Sequence, residues 1–211
     1  MNPGPGILEI ISRKWFIKRS SKKYEIEIEK PSFIEEKTQK IELSKKFVGE
    51  LPKEALEFIK QCETIKAEAF KTDSALAFNG NFDFPVKEKL LSSPFYIRRN
   101  YNNRKGRPHG GIDFRGKEGV SIFAIQSGKI LIARPMYFEG IFTVIDHGAK
   151  IFSFYMHQSQ TLVKEGDLVM KGTLIGKIGS TGMATGPHLH LGMKVKGVPV
   201  DPLSVLALRI F

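Results

Sequence analysis

Cysteine is nearly absent. Cys62 is the only one in 211 residues, so no intramolecular disulfide can form. It lies in an amphipathic stretch, which makes it a buried thiol rather than a nucleophile. Long apolar runs are also missing: no stretch of about 18 apolar residues occurs, so no transmembrane helix is expected. The first six residues, Met-Asn-Pro-Gly-Pro-Gly, offer neither a basic nor an apolar leader region. No His-Glu-x-x-His occurs, which argues against the helix-borne metalloprotease site in which glutamate is the base. Acid is in deficit: 22 Asp and Glu stand against 33 Lys and Arg, a net charge of +11 that favours anionic partners.

What is present suffices for a folded core. The chain is 41% hydrophobic and 10% aromatic, long enough for one domain or two small ones. A nucleic-acid-binding β protein would need aromatic stacking platforms interleaved with the basic residues, and none is organised here. No nucleic-acid partner is therefore expected. The densest basic cluster is Arg98, Arg99, Arg104, Lys105 and Arg107. It reads as a solvated loop or as a rim attracting an acidic substrate.

Histidine is scarce, with five in the chain, and four of them fall in short distinctive settings. His188 and His190 lie two apart after Gly186-Pro187. On a strand they point to one side, roughly 7 Å apart along it. One can bind a metal while the other faces a substrate. Upstream, His109 and Asp113 are four apart across Gly110-Gly111, with Pro108 before them. Those residues disfavour a helix and favour a turn running into a strand. A histidine and a carboxylate can reach one ion from there. His157 ends the apolar run 151–156. Neutral imidazole and carboxylate are a normal ligand set for catalytic zinc.

The order HxxxD, an isolated histidine after Tyr-Met, then HxH behind Gly-Pro resembles the LytM/lysostaphin-type zinc metallopeptidases of the cell wall. The glycine pattern around 166–172 and 175–182 agrees, and the resemblance covers about residues 82–205. It implies that His109, Asp113 and His190 bind Zn2+, and that His157 and His188 are the catalytic pair. One of that pair would accept a proton from the attacking water. The other would stabilise the oxyanion and protonate the leaving amine. Sequence does not say which does which. The implied activity is an endopeptidase cutting peptide cross-links of peptidoglycan, most simply a D,D-endopeptidase, in the periplasmic or extracellular envelope with its leader removed. The basic charge suits association with an anionic envelope. The alternative is a catalytically silent member that activates another wall hydrolase; such members have usually lost metal ligands.

The expected fold is mainly β, an antiparallel peptidase domain over 82–211. A small β-rich unit over 1–50 and a helix with connector over 51–81 precede it. Residues 24–29 alternate strictly, as a half-buried strand does. Leu56, Ile59, Cys62 and Ile65 form a helical stripe that packs on a neighbouring domain. The N-terminal unit is a candidate to cover the cleft and hold the enzyme latent, with Asn79 or Asn81 offering an oxygen to the metal. Residues 117–125 and 128–133 read as paired strands, and 142–148 with 151–156 as a hairpin. His147, between Asp146 and Gly148, reads as a turn or surface residue. Tyr96 stands where the family often has glycine in Ser-x-Phe-Gly-x-Arg.

Overall fold

A computed structural model describes residues 4–14, 17–28, 38–47, 49–78 and 80–208. The chain forms two compact units, Met1–Glu35 and Glu36–Phe211. The first is one hairpin, β1 (Gly4–Lys14) and β2 (Ile17–Ile28), antiparallel with a bulge between Ser12 and Arg13. The alternation at 24–28 falls within β2. The second unit begins earlier than the expected division at residue 50. It takes in β3 (Thr38–Ile41), a single 3-10 turn at Lys45–Phe47 and α1 (Lys53–Ala69).

After α1 come β4 (Leu91–Ser93), β5 (Arg98–Tyr101), β6 (Arg104–Lys105), β7 (Ile112–Arg115) and β8 (Ser121–Phe123). Then follow β9 (Gly128–Met136), β10 (Gly140–Asp146), β11 (Ile151–Thr161) and β12 (Leu168–Val169). The last elements are β13 (Leu174–Ile178), β14 (His188–Val195), β15 (Val198–Val200) and α2 (Pro202–Ala207). Ten strands make one sheet along the path β12-β9-β10-β11-β14-β7-β4, with β13, β8 and β15 attached at its side. All its pairings are antiparallel. A separate three-stranded sheet, β3-β5-β6, contains a parallel pair, β3 with β5.

The β10–β11 hairpin has the expected partners. The pairing read between 117–125 and 128–133 does not form. β8 instead joins β13, while β9 joins β10 and β12. Two adjacent apolar runs are compatible with a hairpin by pattern alone, and here longer-range partners win both edges.

Strand alternation sorts the sheet into two faces. Ile112 and Phe114 of β7, Tyr155 of β11 and Leu189, Leu191 and Met193 of β14 are fully buried on one face, with Ile122, Ile175 and Ile178 against them. Each such side chain contributes about 1.5–3 kcal/mol when buried. The opposite face carries Ile132, Met136, Phe142, Val144 and Phe152, and Cys62 of α1 closes over them. Cys62 is buried, as expected. Leu56, however, is exposed; the covered stripe keeps Ile59, Cys62 and Ile65 and takes Ala55 and Ala69 in place of Leu56. A spacing of three or four recurs in either register, so the pattern did not choose between them.

Candidate active site

The register of β14 against β7 builds the centre. His190 lies directly across from Asp113, and Leu191 across from Ile112. With Leu189 and Leu191 turned into the core, His188 and His190 must face the other side. His109 arrives from the loop before β7. Its backbone N–H donates to the Ile97 carbonyl at 3.0 Å, and its own carbonyl accepts from the Tyr96 N–H at 2.9 Å. Gly111 is required by close approach: a Cβ there would sit 2.3 Å from the Leu191 carbonyl oxygen and 2.7 Å from His190 Nε2.

Three ligand atoms converge. His109 Nε2 is 2.9 Å from His190 Nδ1 and 3.0 Å from Asp113 Oδ1, and His190 Nδ1 is 2.8 Å from Asp113 Oδ1. All three residues are buried. His109 Nδ1 lies 2.8 Å from the Pro94 carbonyl, so Nδ1 carries the hydrogen and Nε2 presents a lone pair. A carboxylate oxygen and imidazole lone pairs packed this closely repel one another unless a positive charge sits among them. The edge of a zinc tetrahedron with bonds of about 2.0–2.1 Å is about 3.3 Å, close to the triangle observed. The donor set therefore fits a divalent cation. Burial alone would raise the Asp113 carboxyl; without an ion, hydrogen bonds from His109 and His190 take the cation's place, outweigh that burial and hold the group well below the usual carboxylate range. Burial pushes His190 down to about 4, against the pull of Asp113.

The other two histidines stand beside this triangle. The His157 and His188 rings are 4.8 Å apart, centroid to centroid, and His188 Nε2 is 4.0 Å from Asp113 Oδ1. Each is tethered by Nδ1 to a backbone carbonyl: His157 to Thr181 at 2.9 Å and His188 to Gly186 at 2.8 Å. Both therefore present Nε2 as the acceptor. Burial, reinforced by His188 and His190, pushes His157 down to about 3, so it is neutral at pH 7.

His157 reaches the cleft through a break in β11. Up to Met156 the strand pairs with β14, and from Gln158 it pairs with β13. His157 itself has φ +62° and donates its N–H to the Glu139 carbonyl at 2.8 Å. Strict alternation would send it to the core with Tyr155. The left-handed residue turns it to the side of Met156 instead, at a cost of about 1–2 kcal/mol. No sequence pattern marks this.

The five side chains named from the sequence thus meet in one cleft of about 970 Å³. Residues 39–43 also wall it, as do Phe138 and Glu139. Asn79 lies outside the described residues. The Asn81 carbonyl accepts from Gln126 and Lys171, and Asn81 is not part of the cleft wall. His147 departs from its expected surface place and is fully buried. Its Nδ1 bonds the Ser127 carbonyl and its Nε2 the Ser153 hydroxyl, both at 2.8 Å. Sequence reasoning missed Arg99, whose Nη2 is 2.6 Å from Asp113 Oδ2. It was one of five basic residues in a cluster, and only the β5 register singles it out.

Comparison with known proteins agrees with this geometry. Residues 107–202 match the model of peptidase family M23. The peptidoglycan DD-endopeptidase ShyA of Vibrio cholerae is 37% identical over 123 residues, covering 57% of this chain and 29% of ShyA. The DD-carboxypeptidase/endopeptidase Mpg of Neisseria meningitidis is 35% identical over 127 residues, covering 60% of this chain and 29% of Mpg. The chain thus spans less than a third of either relative. Among solved structures, one from Pseudomonas aeruginosa assigned to peptidase M23 aligns with TM-score 0.70 and 29% identity, over 98% of this chain and 75% of that one. A zinc-containing peptidase from Vibrio cholerae aligns with TM-score 0.55 and 32% identity, over 62% of this chain and 41% of that one. The motif order, the converging His109–Asp113–His190 triangle and these matches lead to one assignment: residues 107–202 are a peptidase family M23 domain of the LytM type.

Proposed function

We propose that this chain is a zinc-dependent endopeptidase of the cell envelope that hydrolyses peptide cross-links of peptidoglycan, most simply as a D,D-endopeptidase. The observation that carries the reading is the pairing of two sites in one cleft. Three buried ligand atoms lie within 3.0 Å of one another, and two tethered imidazoles stand beside them. The relatives named as peptidoglycan DD-endopeptidases supply the substrate class.

Zinc held by His109, Asp113 and His190 would polarise the scissile carbonyl and lower the pKa of a coordinated water. The chain's own groups do the rest. His157 and His188 keep Nδ1–H on backbone carbonyls, which fixes both rings and leaves Nε2 to take a proton from the nucleophile or return it to the leaving amine. The basic cleft wall, with Lys40, Arg107, Arg115 and Lys194, suits a substrate bearing free carboxylates. It also suits an anionic envelope surface.

A latent state belongs to the same reading. Gln39 and Ile41 of β3 pair with Arg99 and Tyr101 of β5. Leu43 N–H donates to Asn102 Oδ1 at 2.7 Å. Further on, the Tyr137 hydroxyl donates to the Lys46 carbonyl at 2.9 Å, and Phe47 packs edge-on against Tyr137. Residues 38–47 therefore run from the β5 wall to the β9–β10 turn and bridge the cleft.

Two measurements test this. Zinc content and release of soluble muropeptides from purified sacculi are compared for wild type and His188→Ala. About one zinc per chain in both, with release by wild type alone, is the expected result. Absence of both zinc and digestion, even after zinc is added, would refute the proposal. Loosening the bridge with Tyr137→Phe and Asn102→Gly is expected to speed digestion, and unchanged rates would remove the latent state from the reading.

A further inference from the structure

Asp113 uses one oxygen, Oδ1, toward the two imidazoles. Its other oxygen, Oδ2, is buried beside Arg99, whose Nη2 donates to it at 2.6 Å. The same Nη2 donates to Ser93 Oγ at 3.0 Å, and Arg99 Nε donates to Gln39 Oε1 at 3.2 Å. Ser93 Oγ in turn donates to Gln39 Oε1 at 3.0 Å and lies 3.3 Å from His109 Nδ1. The Arg99 and Asp113 side chains are only 12% and 8% exposed. The β3–β5 register sets Gln39 level with Arg99, so the amide meets the guanidinium from the next strand. Neither Gln39 nor Arg99 lies within residues 107–202, the stretch matched by the family model.

We infer that Arg99 is a positioning residue that holds Asp113 as a one-oxygen metal ligand, and that Gln39, on the segment bridging the cleft, completes its grip. The reasoning is geometric. A carboxylate is free to turn about its last bond and to offer one oxygen or two. A planar guanidinium held at three points fixes which oxygen it engages. Engaging Oδ2 leaves Oδ1 for the ion. The positive charge also draws electron density from the carboxylate, which keeps the bound cation a stronger Lewis acid. The bridge thereby has a second consequence: the segment that narrows the cleft also supports a ligand two contacts away. Opening it would loosen Asp113 as well as admit substrate.

This inference rests on the metal-centre reading above, and its test separates the two. The 211-residue chain, as wild type and with Arg99→Gln, Arg99→Lys or Gln39→Ala, is titrated with zinc against a chromophoric chelator. Co2+ serves as the spectroscopic probe, because its visible bands weaken when its coordination number rises. Arg99→Gln is expected to lose about 10–100-fold in zinc affinity, the usual consequence of removing a ligand's hydrogen-bond partner. Its Co2+ bands should weaken as Asp113 turns both oxygens to the ion. Arg99→Lys, with the charge but not the fork, should recover part of the loss, and Gln39→Ala should show a smaller loss than Arg99→Gln. Wild-type affinity and spectrum in Arg99→Gln would overturn the inference and leave the metal centre standing, even if its metal-free thermal stability falls. If Arg99→Gln does not fold, Arg99→Lys decides: weaker zinc binding supports the inference, and wild-type binding overturns it. A wild-type chain that takes up neither zinc nor Co2+ would sink both.

Discussion

Acid should destabilise this protein in part through His147, which is not among the residues lining the cleft. The residue is fully buried, and its neighbours define a one-way relay. Ile125 N–H donates to the Tyr155 hydroxyl at 3.0 Å, the Tyr155 and Ser153 hydroxyls bond at 3.1 Å, and Ser153 Oγ meets His147 Nε2 at 2.8 Å. His147 Nδ1–H ends the chain on the Ser127 carbonyl. With Nδ1 donating, Nε2 must accept from Ser153, and Tyr155 must donate to Ser153. A proton on Nε2 would reverse Ser153 and leave the Tyr155 hydrogen buried without an acceptor. Burial pushes the His147 pKa down to about 4, with Ser127 and the nearby Asp146 pulling the other way. The unfolded value is about 6.5. Between those values the unfolded chain binds the proton and the native chain does not. Stability is therefore intact above pH 6.5 and is lost as pH falls toward 4. The loss is on the order of 3 kcal/mol at about 1.4 kcal/mol per pH unit.

The assay is urea unfolding followed by circular dichroism at several pH values, for wild type and His147→Asn. Asn can still donate to Ser127 but does not titrate. His157 and His190 titrate in both proteins, so they cancel in the difference. Wild type should lose about 3 kcal/mol more than His147→Asn between pH 7 and 4. A flat difference across that window would refute the relay argument.

Asp113→Ala or His190→Ala should lose metal and activity together, whereas His188→Ala should keep the metal; zinc content per chain reads the distinction. Gly111→Ala should destabilise the domain by about 1–3 kcal/mol in urea melts and weaken zinc binding, because its Cβ would press on Leu191 and His190. Tyr155→Phe should cost about 1–3 kcal/mol by orphaning the Ile125 N–H, readable as a fall in the urea midpoint. Tyr96 occupies φ +63°, the left-handed region that glycine favours. Tyr96→Gly should therefore be more stable than Tyr96→Ala by about 1 kcal/mol, and an equal or lower midpoint would count against backbone strain there.

The three residues proposed to hold the metal, with His188, were legible as a group because their spacing is short and local. His188 and His190 share a strand, so period two puts them on one side. The Gly-Gly pair between His109 and Asp113 announces a turn. Tyr96 carried a subtler signal: it stands where the resembled family often has glycine, and its φ of +63° lies in the region that glycine favours. What stayed hidden depends on partners distant in sequence. His147 looks like turn chemistry because Asp146 and Gly148 flank it; its burial comes from Ser127, Ser153, Phe78 and Phe82, brought up by other strands and by the connector. The exposed Leu56 fits a helical stripe as well as Ala55 does, and only the sheet face beneath α1 decides.

The site divides along the same line. Asp113 and His190 face one another because β7 and β14 pair in a fixed register, anchored by Ile112, Phe114, Leu189 and Leu191 in the core. A one-residue slip would turn all four apolar side chains out of the core, so the core that stabilises the sheet also sets these two side chains. His157 has no such guarantee. It departs from the strand's alternation and is held by the Glu139 and Thr181 carbonyls, both outside the strands. Glu139 is tied by an ion pair to Lys66 of α1, and the preceding Tyr137 packs on Phe47 and Phe58. Residues outside the family match therefore bear on His157 more directly than on His190. Substitutions at Lys66 or Phe58 should disturb turnover before they disturb metal binding, since the register that sets Asp113 and His190 does not pass through α1.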